Sequence, residues 1–151
     1  MTTTKYTIMV GEILQKVDDA KTKKAKKDIL TKYSEVKALQ HYLRGLFDPK
    51  VQWAITKEPD YKPDVVTPEG EEANSLYVEM PLCSIFVKGH KASANLKPER
   101  QKQLLIQILE SLHDSEAQLY MQMLKKKTKI KGLTSKLVLE VWPGMYKEEG
   151  V

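Results

Sequence analysis

The sequence predicts an all-α protein, a single compact bundle of about six to eight short helices spanning residues 1–151. Three observations carry that expectation. Apolar residues recur at helical spacing through the first and last thirds of the chain. Thr, Ser, Pro and Gly fall at the edges of those runs, where helices start and stop. Neither an internal repeat nor a coiled-coil heptad pattern appears, so the helices must be short and pack into one body.

Ile8, Ile13, Leu14 and Val17 form the apolar stripe of the first helix. Thr22 is placed to cap a second helix, with Ala25, Ile29, Leu30 and Tyr33 facing inward. Ser34 is placed to cap a third, carrying Val36, Leu39, Leu43 and Leu46. Gly45 weakens that helix slightly, and Asp48-Pro49 stops it. Val51, Trp53, Ala54 and Ile55 make a short apolar patch. From residue 56 to 73 the character changes: Pro59, Pro63, Pro68 and Gly70 lie among acids, which predicts an extended, Pro-rich acidic loop. Residues 74–88 fit helix or strand, with Pro81 interrupting either; the helical neighbours favour helix. Pro98 suits the first turn of the next helix, whose apolar face is Leu104, Leu105, Ile108, Leu109 and Leu112. Asp114 or Ser115 caps another, with Ala117, Leu119, Tyr120, Met123 and Leu124. Thr134 or Ser135 caps the last, with Leu137, Val138, Val141 and Trp142, and Pro143-Gly144 ends it.

Composition narrows the function classes. The chain has 151 residues and a net charge of +5, enough length for a core without disulfides and enough basicity to suggest a polyanionic partner. The charge is unevenly placed. Residues 1–50 carry eleven basic and six acidic side chains, residues 51–90 three and seven, and residues 91–151 eleven and seven. Packing the two basic flanks together would therefore build one positive face. A lone cysteine, Cys83, excludes an internal disulfide and a thiolate metal cage, and fits a reducing, cytoplasmic location. No apolar run reaches the roughly 18 residues of a membrane helix, and the N-terminus leads into no signal-peptide core.

Sites of chemistry are scarce. There is no phosphate-binding Gly-rich fingerprint. His41, His90 and His113 are scattered, with no Cys or acid at metal-ligand spacing, so neither metal nor cofactor is expected. His113-Asp114 reads as a surface turn at a helix junction, and Cys83, in an apolar run, as a buried structural thiol. Asp18-Asp19 and Glu71-Glu72 read as solvated charge, because adjacent residues on a helix do not face one another. Trp53 and Trp142 read as core anchors. No acid–base pair supports an enzyme.

One constellation stands out. Lys125, Lys126, Lys127, Lys129, Lys131 and Lys136 fall within twelve residues that contain no acid. Inside this stretch, Lys129-Ile130-Lys131-Gly132-Leu133 leads into a helix opening at Thr134-Ser135. A helix start offers unpaired amides and a positive dipole end, glycine allows close approach, and hydroxyls and lysines add donors. That combination suits a nucleic-acid backbone; a solvated basic turn is the plain alternative. A second cluster, Lys21, Lys23, Lys24, Lys26 and Lys27, reads first as a solvated helix face, with Lys23, Lys24 and Lys27 as secondary phosphate contacts.

The run from Leu124-Lys125 through Lys129-Ile130-Lys131-Gly132-Leu133 to Leu137-Val138-Leu139 resembles the end of the N-terminal DNA-binding domain of ATP-dependent DNA ligases. There a helix enters an Arg-Ile-Gly-Leu-like loop and a further helix follows. Leu105 to Tyr120 resembles that domain's leucine-rich helix pair. Val141-Trp142-Pro143-Gly144 and the segment from Ile13-Leu14 to Lys26-Lys27-Asp28-Ile29-Leu30 are most similar to the ligases of T-even bacteriophages. The chain is also similar to a family of small proteins of T-even-like phages and cyanophages. Lys129 stands where the ligase family has arginine, which keeps the charge but loses the bidentate fork. The chain has no Asp-Gly, which the adenylated Lys-x-Asp-Gly motif requires, and ends seven residues after Gly144. The resemblance therefore implies a stand-alone module rather than a ligase.

What it implies is a non-catalytic protein that holds duplex DNA, intact or nicked, mainly through phosphates and across the minor groove. Lys129, Lys131, Gly132, Thr134, Ser135 and Lys136 would make the principal contact, with Lys125, Lys126 and Lys127 adding diffuse attraction. The role would be accessory to phage DNA replication, repair or recombination in the host bacterial cytoplasm. The alternative is a protein-interaction module for a host or replisome protein such as a clamp or polymerase, docking through Lys57 to Glu72.

Overall fold

The computed structural model describes residues 9–62 and 75–146. Among the described residues there are seven α-helices: α1 Val10–Asp19, α2 Lys23–Lys32, α3 Lys37–Phe47, α4 Leu76–Glu79, α5 Pro98–Ser111, α6 Asp114–Lys125 and α7 Ser135–Val141. Two 3-10 stretches, Met80–Phe86 and Lys91–Ser93, complete the regular structure. A single antiparallel bridge joins Trp53 to Val87. The fold is the all-α bundle that the apolar spacing predicts.

The central element is α6. It packs on α1, α3 and α5, which explains why its buried residues run around the helix rather than along one stripe: Ala117, Leu119, Tyr120, Met121, Met123 and Leu124. Tyr120 meets Phe86 edge to face, with ring centroids 6.3 Å apart. Burial pushes the phenols of Tyr42 and Tyr120 well above their ordinary values. Buried Glu116 uses one carboxylate oxygen to accept the Leu76 N–H at 3.1 Å, so a core acid caps the start of α4.

The helix boundaries show which local signals held. Thr22 caps α2 by accepting the Ala25 N–H, and Thr134 caps α7 by accepting the Leu137 N–H. Pro98 opens α5, and residues 75–88 are helical or 3-10 up to Phe86. Two expected caps are displaced. Val36, not Ser34, precedes α3; the Ser34 carbonyl instead accepts the Gln40 amide and the Trp142 indole N–H, at 2.6 and 2.9 Å. His113, not Asp114 or Ser115, caps α6, its Nδ1 accepting the Ser115 N–H at 3.1 Å. An imidazole nitrogen can fill the same acceptor role as a carboxylate, and here it reaches first. Of the predicted acidic loop, residues 56–62 form no helix, while 63–73 lie outside the described residues, as does Ile8.

Gly45 has a role that its low helix propensity conceals. A Cβ built there would lie 2.7 Å from Trp53 Cζ2 and 2.8 Å from Met123 Sδ. The Trp53 indole N–H donates to the Gly45 carbonyl at 3.0 Å. Gly45 is thus the notch that lets Trp53 and α6 close against α3. Gly45→Ala is expected to cost about 2 kcal/mol or more by overpacking, despite the better helix propensity of alanine. A urea melt checks this; a variant as stable as the wild type would contradict the notch.

Candidate nucleic-acid interface

Helix α6 ends at Lys126, whose φ of 56° is left-handed. The Lys126 and Lys127 N–H groups close the last turn onto Met123 and Gln122. The Lys126 ammonium donates to the Asp48 carbonyl at the end of α3. The loop that follows is held at several points. Thr128 Oγ1 accepts the Ile130 N–H at 3.1 Å. Leu133 is buried and Ile130 packs partly against the core. The Lys131 N–H donates to Asp18 Oδ1 of α1 at 2.8 Å.

Beneath the loop lies Lys26 of α2. It is 9% exposed, and its ammonium donates to the Val17 and Ala20 carbonyls, both at 2.8 Å. Those carbonyls belong to the C-terminal end of α1, where a cation complements the helix dipole. Gly132, with φ 73°, sits directly over the stem: a Cβ there would come within 2.8 Å of Lys26 Cε. The glycine in the loop is therefore required by the close approach to Lys26 and by its left-handed φ. The expectation that Lys26 belongs to a solvated face is corrected, because α1 offers two carbonyls that its ammonium can satisfy. Asp18 is likewise not mere solvated charge but a brace for the loop. The loop's contacts with Asp18 and Lys26 join residues about a hundred positions apart, and no local pattern announces them.

The structure brings the two lysine clusters together, since α2 packs on α7. They differ in how much charge is free. Glu140 of α7 lies 2.9 Å from Lys23 and 3.4 Å from Lys27, and the Lys23 ammonium chiefly, then Lys27, holds its carboxyl below the usual range. Lys24 pairs with Asp28 at 3.5 Å, and Lys125 with Glu58 at 3.7 Å. Lys127, Lys129, Lys131 and Lys136 are exposed, and among the described residues none of them is in an ion pair. The hydroxyls of Thr134 and Ser135 are already used, one as the α7 cap and the other bonded to Tyr146 Oη at 2.7 Å. Helix α7 has seven residues, a short dipole. The chemistry on offer is thus a braced loop carrying three ammonium groups, with a fourth on α7, none of them in an ion pair among the described residues, more than a helix-start cradle.

Two clefts flank the loop. One, of about 610 Å³, is lined by Glu58 and Asp60, by Lys125, Lys127 and Lys129, and by Gln122 of α6. The other, of about 440 Å³, lies between α1 and α6 and shares Gln118, Gln122 and Lys129. Elsewhere, burial pushes the half-buried Cys83 thiol up to about 11, as expected for a structural cysteine. Trp53 is buried; Trp142 is partly buried, its indole N–H engaged by Ser34. Among the described residues no three His, Cys, Asp or Glu side chains gather as a metal site, and no helix is long and apolar enough to cross a membrane.

The model of a family of unknown function, DUF6433, matches residues 13–130, which takes in α1 from Ile13 onward, α2 to α6 and the loop as far as Ile130. No curated protein matches the chain.

Proposed function

The chain belongs to the DUF6433 family, and we propose that it is a non-catalytic DNA-binding protein that grips duplex DNA mainly through its phosphates. The observation that carries the reading is the loop after α6 and the start of α7: Lys127, Lys129 and Lys131 on the loop and Lys136 on α7 are exposed and, among the described residues, in no ion pair, and the loop is fixed by Asp18, Lys26 and Leu133. A fixed cationic loop meets a phosphate row with less ordering entropy than a floppy one. Lysine contacts of this kind position a protein without reading sequence. Lys23, Lys24, Lys27 and Lys125 contribute less, because each must first give up a carboxylate. Lys126 acts through the Asp48 carbonyl that it holds. The resemblance to the phage ligase domain supports a role accessory to phage DNA replication, repair or recombination, in the host cytoplasm.

Fluorescence anisotropy with labelled intact, nicked and single-stranded DNA tests this. The account expects duplex binding at about 50 mM salt that weakens strongly by about 200 mM. Tighter binding to the nick would tie the protein to ligase-like work. No binding at low salt would refute the reading.

One observation favours a second reading, a protein-interaction module for a host or replisome protein such as a clamp or polymerase. Val78 and Leu82, one turn apart after the acidic segment, are 54% and 56% exposed. A partner captured from nuclease-treated lysate by the wild type and lost in Val78→Asp/Leu82→Asp would support it; capture unaffected by those changes would count against this surface.

A further inference from the structure

The stretch of residues 52–62, which leads into the acidic region, takes a defined course. Its start is pinned beside the 3-10 stretch: the Ala54 N–H donates to the Phe86 carbonyl and the Lys88 N–H to the Gln52 carbonyl, both at 2.7 Å. Its end is pinned on α5, where the Lys62 N–H donates to Glu110 Oε2 at 2.9 Å. Beside it, Tyr61 packs partly buried against the core. Between these anchors Glu58 and Asp60 line the 610 Å³ cleft together with Lys125, Lys127 and Lys129. Glu58 reaches Lys125 at 3.7 Å.

We propose that Glu58 and Asp60 form an autoinhibitory strap that competes with DNA phosphates for Lys125, which Glu58 already holds, and for the cleft that Lys127 and Lys129 also line. The inference rests on the DNA-binding reading and adds a control to it. Three features support a competing role over a purely structural one. Glu58 is paired with Lys125 at the end of α6, and Asp60 lines the same cleft as Lys127 and Lys129, so the two acids occupy space that a phosphate would take. Asp114 lines the same cleft, and three carboxylates in one groove repel one another unless cations face them. Burial first, then Glu58 and Asp114, raises the Tyr61 phenol, which places these carboxylates around the anchor of the strap. The contact is also easy to displace. Lys125 and Glu58 are 41% and 50% exposed, so their attraction is screened by salt and yields to a denser anion. A polyanion with several adjacent phosphates therefore wins the lysines, whereas isolated anions do not. The strap thus filters for an extended phosphate row.

The double variant Glu58→Gln/Asp60→Asn tests the strap with two readouts. Without DNA, acetylation of Lys125 by an amine-reactive ester, followed by mass spectrometry, is expected to rise about twofold or more relative to Lys136 on the same chain. With labelled duplex at about 50 mM salt, affinity is expected to tighten about three- to tenfold, the gain shrinking by about 200 mM. Unchanged acetylation overturns the strap even if DNA binds. Raised acetylation with unchanged duplex affinity overturns its competing role. Absence of duplex binding by both the wild type and the variant refutes the DNA reading, and the competing role with it. Glu110→Gln, which weakens the far anchor without touching the cleft charge, is expected to move both readouts in the same direction by less.

Discussion

Duplex affinity is expected to fall by about two orders of magnitude or more when Lys129 and Lys131 are both replaced by glutamate. Each of these ammonium groups is exposed and, among the described residues, in no ion pair, so it meets a phosphate without first giving up such a partner. Losing two phosphate contacts should lower the slope of log affinity against log salt by about two, and reversed charge adds repulsion. One structural detail demands a control. The Lys131 N–H is held by Asp18 at 2.8 Å, so a glutamate at 131 puts a second carboxylate near the first. The neutral pair Lys129→Gln/Lys131→Gln avoids this and should still lose about tenfold or more. Affinity unchanged in both double variants, with unchanged thermal melting, would remove the loop from the interface.

Lys26→Met has the second large expected effect, on stability. Methionine keeps most of the apolar stem under Gly132 but cannot donate. The Val17 and Ala20 carbonyls then lose a charged donor that meets both at 2.8 Å. Hydrogen bonds to charged groups contribute about 1.5–3 kcal/mol each, and unsatisfied buried acceptors add to the loss. Some of this returns through relaxation and water, so a net cost of about 2–3 kcal/mol is expected. For a chain of this size that lowers Tm by roughly 5–10 °C. The loop should loosen as well, because Lys26 is its floor, and duplex affinity should drop although residue 26 itself touches no phosphate. A Tm within about 1 °C of the wild type would show that the buried ammonium is dispensable.

Much of the fold was legible because the information is local. The leucines of α3, α5 and α6 lie at spacings that only a helix places on one face, and Thr22, Thr134 and Pro98 mark helix starts by their own chemistry. The displaced caps show the limit of such signals. Ser34 is a good capping residue, yet its carbonyl serves Gln40 and Trp142, a demand created by α7 from the far end of the chain. The site was legible as composition but not as arrangement. Six lysines without an acid identify a cationic stretch. Nothing in the stretch says that Asp18 braces it, that Glu58 reaches Lys125, or that Glu140 neutralises part of the α2 cluster. Gly132 was visible as a glycine in a turn; that a lysine stem lies beneath it depends on how α1, α2 and the loop meet. Gly45 is the same case in the core: its local cost is plain, and its purpose is set by Trp53 and Met123.

The salt dependence of duplex binding tests the central claim most directly. With Lys127, Lys129, Lys131 and Lys136 as phosphate contacts, log affinity against log salt between about 50 and 200 mM should have a slope of roughly −3 to −4, with little dependence on base sequence. A slope near zero, or no measurable binding at the lowest salt, would contradict the claim that this loop exists to hold a phosphate backbone.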